Sequence, residues 1–213
     1  MPAWPVVNKW TERFIQHYQQ RARARAQWEL DRRARFTCED LALHVIIRFA
    51  DHYRLPVTIR NEWEPRGYDP RDFDGTADEF RAQVLSTTGA RDFVRFTNTQ
   101  GFRGTRGSME NLGRARPGDL IHLVYPDYDH IQLVTEATPQ RITIVQGNID
   151  DWGRTSADPS SEHYIGAVVQ EHYYDGEGYC SRPRRDGERP RTFQEHQGRV
   201  RRRNFEGWNC KRV

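Results

Sequence analysis

The stretch "RPGDLIHLVYPDYDHIQLVTEATPQRITIVQGN", Arg116–Asn148, decides the fold class. Three runs inside it, DLIHLVY (119–125), HIQLVTE (130–136) and RITIVQG (141–147), switch to period two and are rich in Ile, Val and Thr. The breaks between them, PDYD and ATPQ, are short and made of turn-forming residues. Short breaks close hairpins, so the three runs predict an antiparallel meander.

Upstream the period changes to that of helices. Leu41, Ala42, Val45, Ile46, Phe49 and Tyr53 recur at i, i+3, i+4 and i+7, which predicts a helix that begins at Cys38. Thr37 fits its N-cap, with Asp40 at the third helical position. Residues 7–30 read as a longer polar helix with Trp10, Phe14, Ile15, Tyr18 and Ala22 along one face. Residues 76–89 read as a third helix, with Thr76 as cap and Glu79 three residues on. LPVTIRNEW (55–63) is a short strand or an extended exit, RDFVRFTNT (91–99) fits helix or strand, and HYIGAVVQEHYY (163–174) predicts a further strand. Helices first and a strand meander afterwards argue an α+β fold.

A chain of 213 residues buries a full core as one domain. The net charge of +3 hides an uneven distribution. Residues 1–35 hold eight Lys/Arg against three acids, and residues 181–213 hold eleven against four. The reading is a basic N-terminal helix (1–35), a mildly acidic core (36–180) and a basic C-terminal extension (181–213). Arg-rich helix faces are commonly solvated, and Phe205 and Trp208 would dock the tail, so nucleic-acid binding is the lesser reading of the two ends. No run of about 18 apolar residues exists, so no membrane span is expected. The opening MPAWPVVNKWTERF has no basic-then-apolar pattern, so synthesis in the cytoplasm without a secretory signal is the expectation. Three cysteines are too few for a disulfide scaffold, although Cys180 and Cys210 could pair in an oxidising compartment and leave Cys38 free. No Cys or His pair has metal-ligand spacing, and neither metal nor cofactor is expected.

Cys38 has two readings. As first residue of a helix its thiol feels the positive end of the helix dipole, which favours thiolate. Glu39 and Asp40 oppose that, and the apolar stripe makes it equally a small buried hydrophobe. A thiol nucleophile needs an imidazole and a group that orients the ring. His130 opens a strand at the sheet rim, where a side chain meets a helix end. His122 is the rival, mid-strand and expected opposite about Leu133. The ATPQ turn brings residues 146–148 opposite His130. Gln146 and Asn148 share His130's face only if the closing loop has an odd number of residues. An amide there accepts from the ring and fixes its tautomer.

Together these residues resemble the papain-like bacterial amidases and peptidases of the CHAP family and its NlpC relatives. Pro117-Gly118-Asp119 matches the Pro-Gly-Asp before their first sheet strand, and His130 matches the His that opens the next. Gln146 and Asn148 match the polar residue and Asn of the strand after it. The sequence departs from the pattern in carrying Thr-Cys-Glu-Asp around the cysteine and Gln146 in place of an acid. The resemblance implies a papain-like fold in which the nucleophile helix packs on the meander. It assigns Cys38 as nucleophile, His130 as base, and Gln146 or Asn148 as orienting groups. It further implies peptidoglycan amide bonds as substrate. By analogy, the protein would be an antibacterial effector carried by a secretion apparatus into the periplasm of a target cell, with a cognate immunity partner. The alternatives are the same chemistry on a host protein, or a non-enzymatic module that binds nucleic acid or a partner.

Overall fold

The structure, a computed structural model, describes residues 1–96, 98–102, 105–125, 129–147, 166–181 and 192–210. In chain order the elements are α1 (Glu12–Asp31), β1 (Arg35–Phe36), α2 (Cys38–His52), α3 (Ala77–Thr87), α4 (Asp92–Arg95), β2 (Thr99–Gly101) and α5 (Met109–Leu112). They continue with β3 (Leu120–Val124), β4 (Asp129–Ala137), β5 (Arg141–Gln146), β6 (Ala167–Val168), β7 (Gln170–Asp175), β8 (Arg199–Arg203) and α6 (Phe205–Asn209). The fold is α+β, with helices ahead of a six-stranded antiparallel sheet of order β2-β8-β3-β4-β5-β7.

The helix boundaries follow from their caps. Thr37 accepts from Asp40 N at 3.2 Å and starts α2, and Thr76 with Glu79 forms a full capping box on α3. α1 begins after Thr11, so residues 7–10 lie ahead of it in extended chain, where Trp10 donates its indole N–H to Pro56 O. LPVTIRNEW forms no named strand; its sheet-like contact is the single bridge Ile59↔Tyr68. RDFVRFTNT divides into the short α4 and the start of β2.

Alternation splits the sheet into two buried faces. Leu120, Ile131, Leu133 and Val145 pack in one core with α1 and α2. Ile121, Leu123, Val134 and Ile144 pack in a second core with Leu112, Tyr174, Phe193 and Val200. Pro117-Gly118-Asp119 locks the entry to β3. Gly118 sits at φ +86, and a Cβ there would come within 2.6 Å of the Tyr18 ring, so only glycine fits.

Two findings differ from the sequence reading. The basic end is no appendage: β8 lies between β2 and β3, inside the sheet. Its alternate arginines find acceptors instead of solvent. Arg203 donates to Tyr18 Oη and Ala42 O, and Arg202 holds Asp119 with two bonds of 2.9 and 2.7 Å. Phe205 and Trp208 do dock, against Trp10. Cys180 and Cys210, whose pairing the sequence left open, form no disulfide: the first is buried in the second core and the second is exposed.

Candidate active site

Cys38 is the first residue of α2 and is buried. Two neighbouring turns of chain press on it. Gly147 follows β5 so closely that a Cβ would stand 2.3 Å from both Phe36 O and Thr37 O. The segment before Cys38 is thereby pinned against the end of β5. The backbone amide of Ile131 lies near enough to favour the thiolate, and Cys38 and Ile131 pack in the same core.

The thiol's own hydrogen bond runs to Glu39 Oε2, at 2.9 Å, and not to an imidazole. Burial, then the Glu39 charge and its hydrogen bond, push the thiol well above its usual range, against the weaker pull of the Ile131 and Glu39 amides. Burial also raises Glu39, with Asp92 adding to it. Asp40 is raised to about 7, by burial first and by Glu39 second. The α2 terminus therefore carries three groups that resist ionising together.

His130 is buried, and its Nε2 lies 2.7 Å from Gln146 Oε1. That oxygen also accepts from Gln132 Nε2 at 2.8 Å, while Gln132 Oε1 accepts from Tyr174 Oη–H at 2.9 Å. An amide oxygen only accepts, so with Gln146 in this orientation the proton of His130 sits on Nε2, and Gln146 Nε2 is buried without a hydrogen bond among the described residues. Because β4 alternates, His130 shares the face of Gln132 and of Leu123 in the second core, opposite the α2-facing side of Ile131, and among the described residues no hydrogen bond joins it to Cys38.

Register explains how Gln146 reaches His130. The ATPQ turn leaves four residues, 138–141, between the last pair Ala137↔Ile142, with Thr138 N and Arg141 O 2.9 Å apart. An even loop would put Gln146 on the wrong face. A bulge at Thr135, between the pairs Val134↔Ile144 and Glu136↔Thr143, restores the parity. Asn148 lies outside the described residues.

His122 stands opposite Ile131, not Leu133, because β3 and β4 close at Val124↔Asp129. It therefore shares the α2-facing side with Ile131. Both its ring nitrogens are buried without a hydrogen bond among the described residues, and Nε2 is 3.4 Å from Asp129 Oδ2. Burial lowers its pKa, against the pull of Asp129. Sequence reasoning passed over Asp129; the short PDYD turn was the signal, since it sets an acid beside the last residues of β3.

Among the described residues no group of three His, Cys, Asp or Glu side chains is placed to hold a metal, and no helix is long and apolar enough to cross a membrane. No family model, curated protein or solved structure matches the chain.

Proposed function

We propose that the protein is a cysteine-dependent amidohydrolase or peptidase of papain-like, CHAP/NlpC-like type. Cys38 is its nucleophile, His130 its base and Gln146 the residue that orients the base. The observation that carries this reading is the 2.7 Å bond from His130 Nε2 to Gln146 Oε1, which orients an imidazole in the strand whose next residue, Ile131, packs in the core that holds the helix-terminal thiol. In the reaction Cys38 Sγ attacks an amide carbonyl and its proton passes to His130, whose ring must turn across the sheet rim to receive it. The oxyanion forms at the start of α2, where the Cys38 N–H is a donor. His130 then protonates the leaving amine, and water releases the acyl group from sulfur. The thiol must first leave Glu39, so the resting contact is a reserve state.

The resemblance of Pro117-Gly118-Asp119, His130 and Gln146 to the CHAP pattern supports peptidoglycan amide bonds as the substrate. An interbacterial toxin delivered to the periplasm, with an immunity partner, is the corresponding biological setting. The test is digestion of purified sacculi by the native protein and by Cys38→Ala and His130→Ala. Muropeptide release by the native protein alone is expected; equal release by all three rejects the assignment.

His122 with Asp129 favours a second reading, in which this pair, on the α2-facing side of the sheet, serves the thiol. Loss of digestion in His122→Ala with retention in His130→Ala would select it.

A further inference from the structure

A groove of about 710 Å³ runs between α1 and the C-terminal half of α2. It does not touch the candidate active site: its nearest α2 residue, Val45, is two turns beyond Cys38, about 10 Å along the axis. Ala22, Val45 and Phe49 lie beneath it but are buried, so its surface is mainly polar. The walls are basic. Arg21 and Arg25 project from α1 one turn apart, and Arg48 and His52 project from α2 with the same spacing. Arg54 closes one end, beside Asp51, the one acid in the lining.

These arginines are unevenly satisfied. Arg25 is bound to Glu29 and His44, and Arg48 reaches the exposed Asp78 at 3.1 Å. Arg21 is exposed and has no ion pair or hydrogen bond among the described residues. A groove with cationic rails and one acid fits a ligand that presents a row of carboxylates.

We infer that the α1–α2 groove docks an acidic helical polypeptide segment of a partner protein, its carboxylates on Arg21 and Arg48.

A single-stranded nucleic acid is the competing occupant, and Trp28 argues against it. Such strands bind by stacking bases on exposed aromatic faces. Trp28 is half-exposed, but the guanidinium carbons of Arg25 and Arg32 lie 4.1 and 3.8 Å from its ring centroid. Two guanidinium groups that close to one ring compete with any base for its face. Tyr53, the other large aromatic at the rim, is packed against Phe14, His17 and Phe49.

The experiment is fluorescence anisotropy on the full chain with a labelled synthetic peptide of glutamates and leucines at helical spacing. Its lysine–leucine counterpart and a labelled oligothymidylate are titrated in parallel. Saturable binding of the acidic peptide is expected, weakened by salt. Affinity falls about tenfold in Arg21→Glu/Arg48→Glu and by less in Arg21→Ala, which breaks no contact in the fold. Thermal melts of both variants check folding, and an unchanged rate of Cys38 alkylation separates the outcome from the catalytic assignment. Tighter binding of the oligothymidylate, undiminished binding by the double variant, or no binding of the acidic peptide would each overturn the inference.

Discussion

Cys38 shows how one position holds two opposed tendencies. The helix dipole and the Ile131 amide favour thiolate, while burial and the Glu39 carboxylate favour thiol, and burial leads. The Sγ···Oε2 contact of 2.9 Å makes Glu39 the adjustable part. Glu39→Gln removes a charge and keeps a polar neighbour, so the thiol pKa falls. Near neutral pH, iodoacetamide should label Cys38 about tenfold faster in this variant, one unit of pKa; an unchanged rate would leave burial as the whole cause. Asp40 makes a matching statement about stability. Its carboxyl titrates at about 7 when folded, against 3.8 for an unperturbed aspartate. Between those values the folded chain keeps a proton that the unfolded chain has released. The contribution of Asp40 to stability is therefore greatest at low pH, declines as pH rises from about 4 to about 7, and levels off above. Asp40→Asn flattens most of this slope and stabilises the protein at pH 8 by about 2–4 kcal/mol, measured by urea unfolding across pH. Glu39, raised in the same direction, leaves a residual slope.

Among the elements, α2 and the β3–β5 meander were legible because each is governed by local chemistry. The apolar stripe from Leu41 to Phe49 and the Thr37 cap set the helix, and period two with short turns set the strands. The pairing of His130 with Gln146 was less legible, because it depends on parity. A bulge is one unpaired residue with no fixed sequence mark, and Thr135 reads like any strand threonine. Asp129 and the true register of His122 escaped for the same reason, since one shift in a turn moves a whole strand. The most demanding joint between elements is Gly147 against the chain before α2. Gly147→Ala places a methyl carbon 2.3 Å from two carbonyl oxygens of rigid backbone. A loss of about 3 kcal/mol in chemical denaturation is expected, with faster Cys38 labelling as the α2 start is pushed off β5.

For the molecule as a whole, the basic end was the part that sequence misled about most. A run such as RVRRR reads as solvated because arginine is rarely buried. Here Val200 enters the second core while Arg201 and Arg203 are buried on the other face, donating to Thr99, Tyr18 and Ala42. Arg201 has neutral partners only, and burial, with Arg199 and Arg106 adding, lowers its pKa to about 10. A dispensable tail and a sheet strand predict different results for a chain cut after Gly198. The strand requires that the cut chain lose cooperative unfolding and bind a hydrophobic dye, since β3 loses its neighbour and both cores open. A cooperative melt close to that of the full chain would refute the structural role.

The place of β8 also constrains the order in which the fold assembles. It is synthesised after every other described strand, yet its neighbours precede it by nearly half the chain for β2 and about a third for β3. Until it inserts, those two strands have no route to one another, and each presents an open edge. Such late, sequence-distant pairing slows folding and lengthens exposure to aggregation. A nascent chain held on the ribosome short of Arg199 would thus carry an unfinished sheet, ready to take a foreign strand in place of its own.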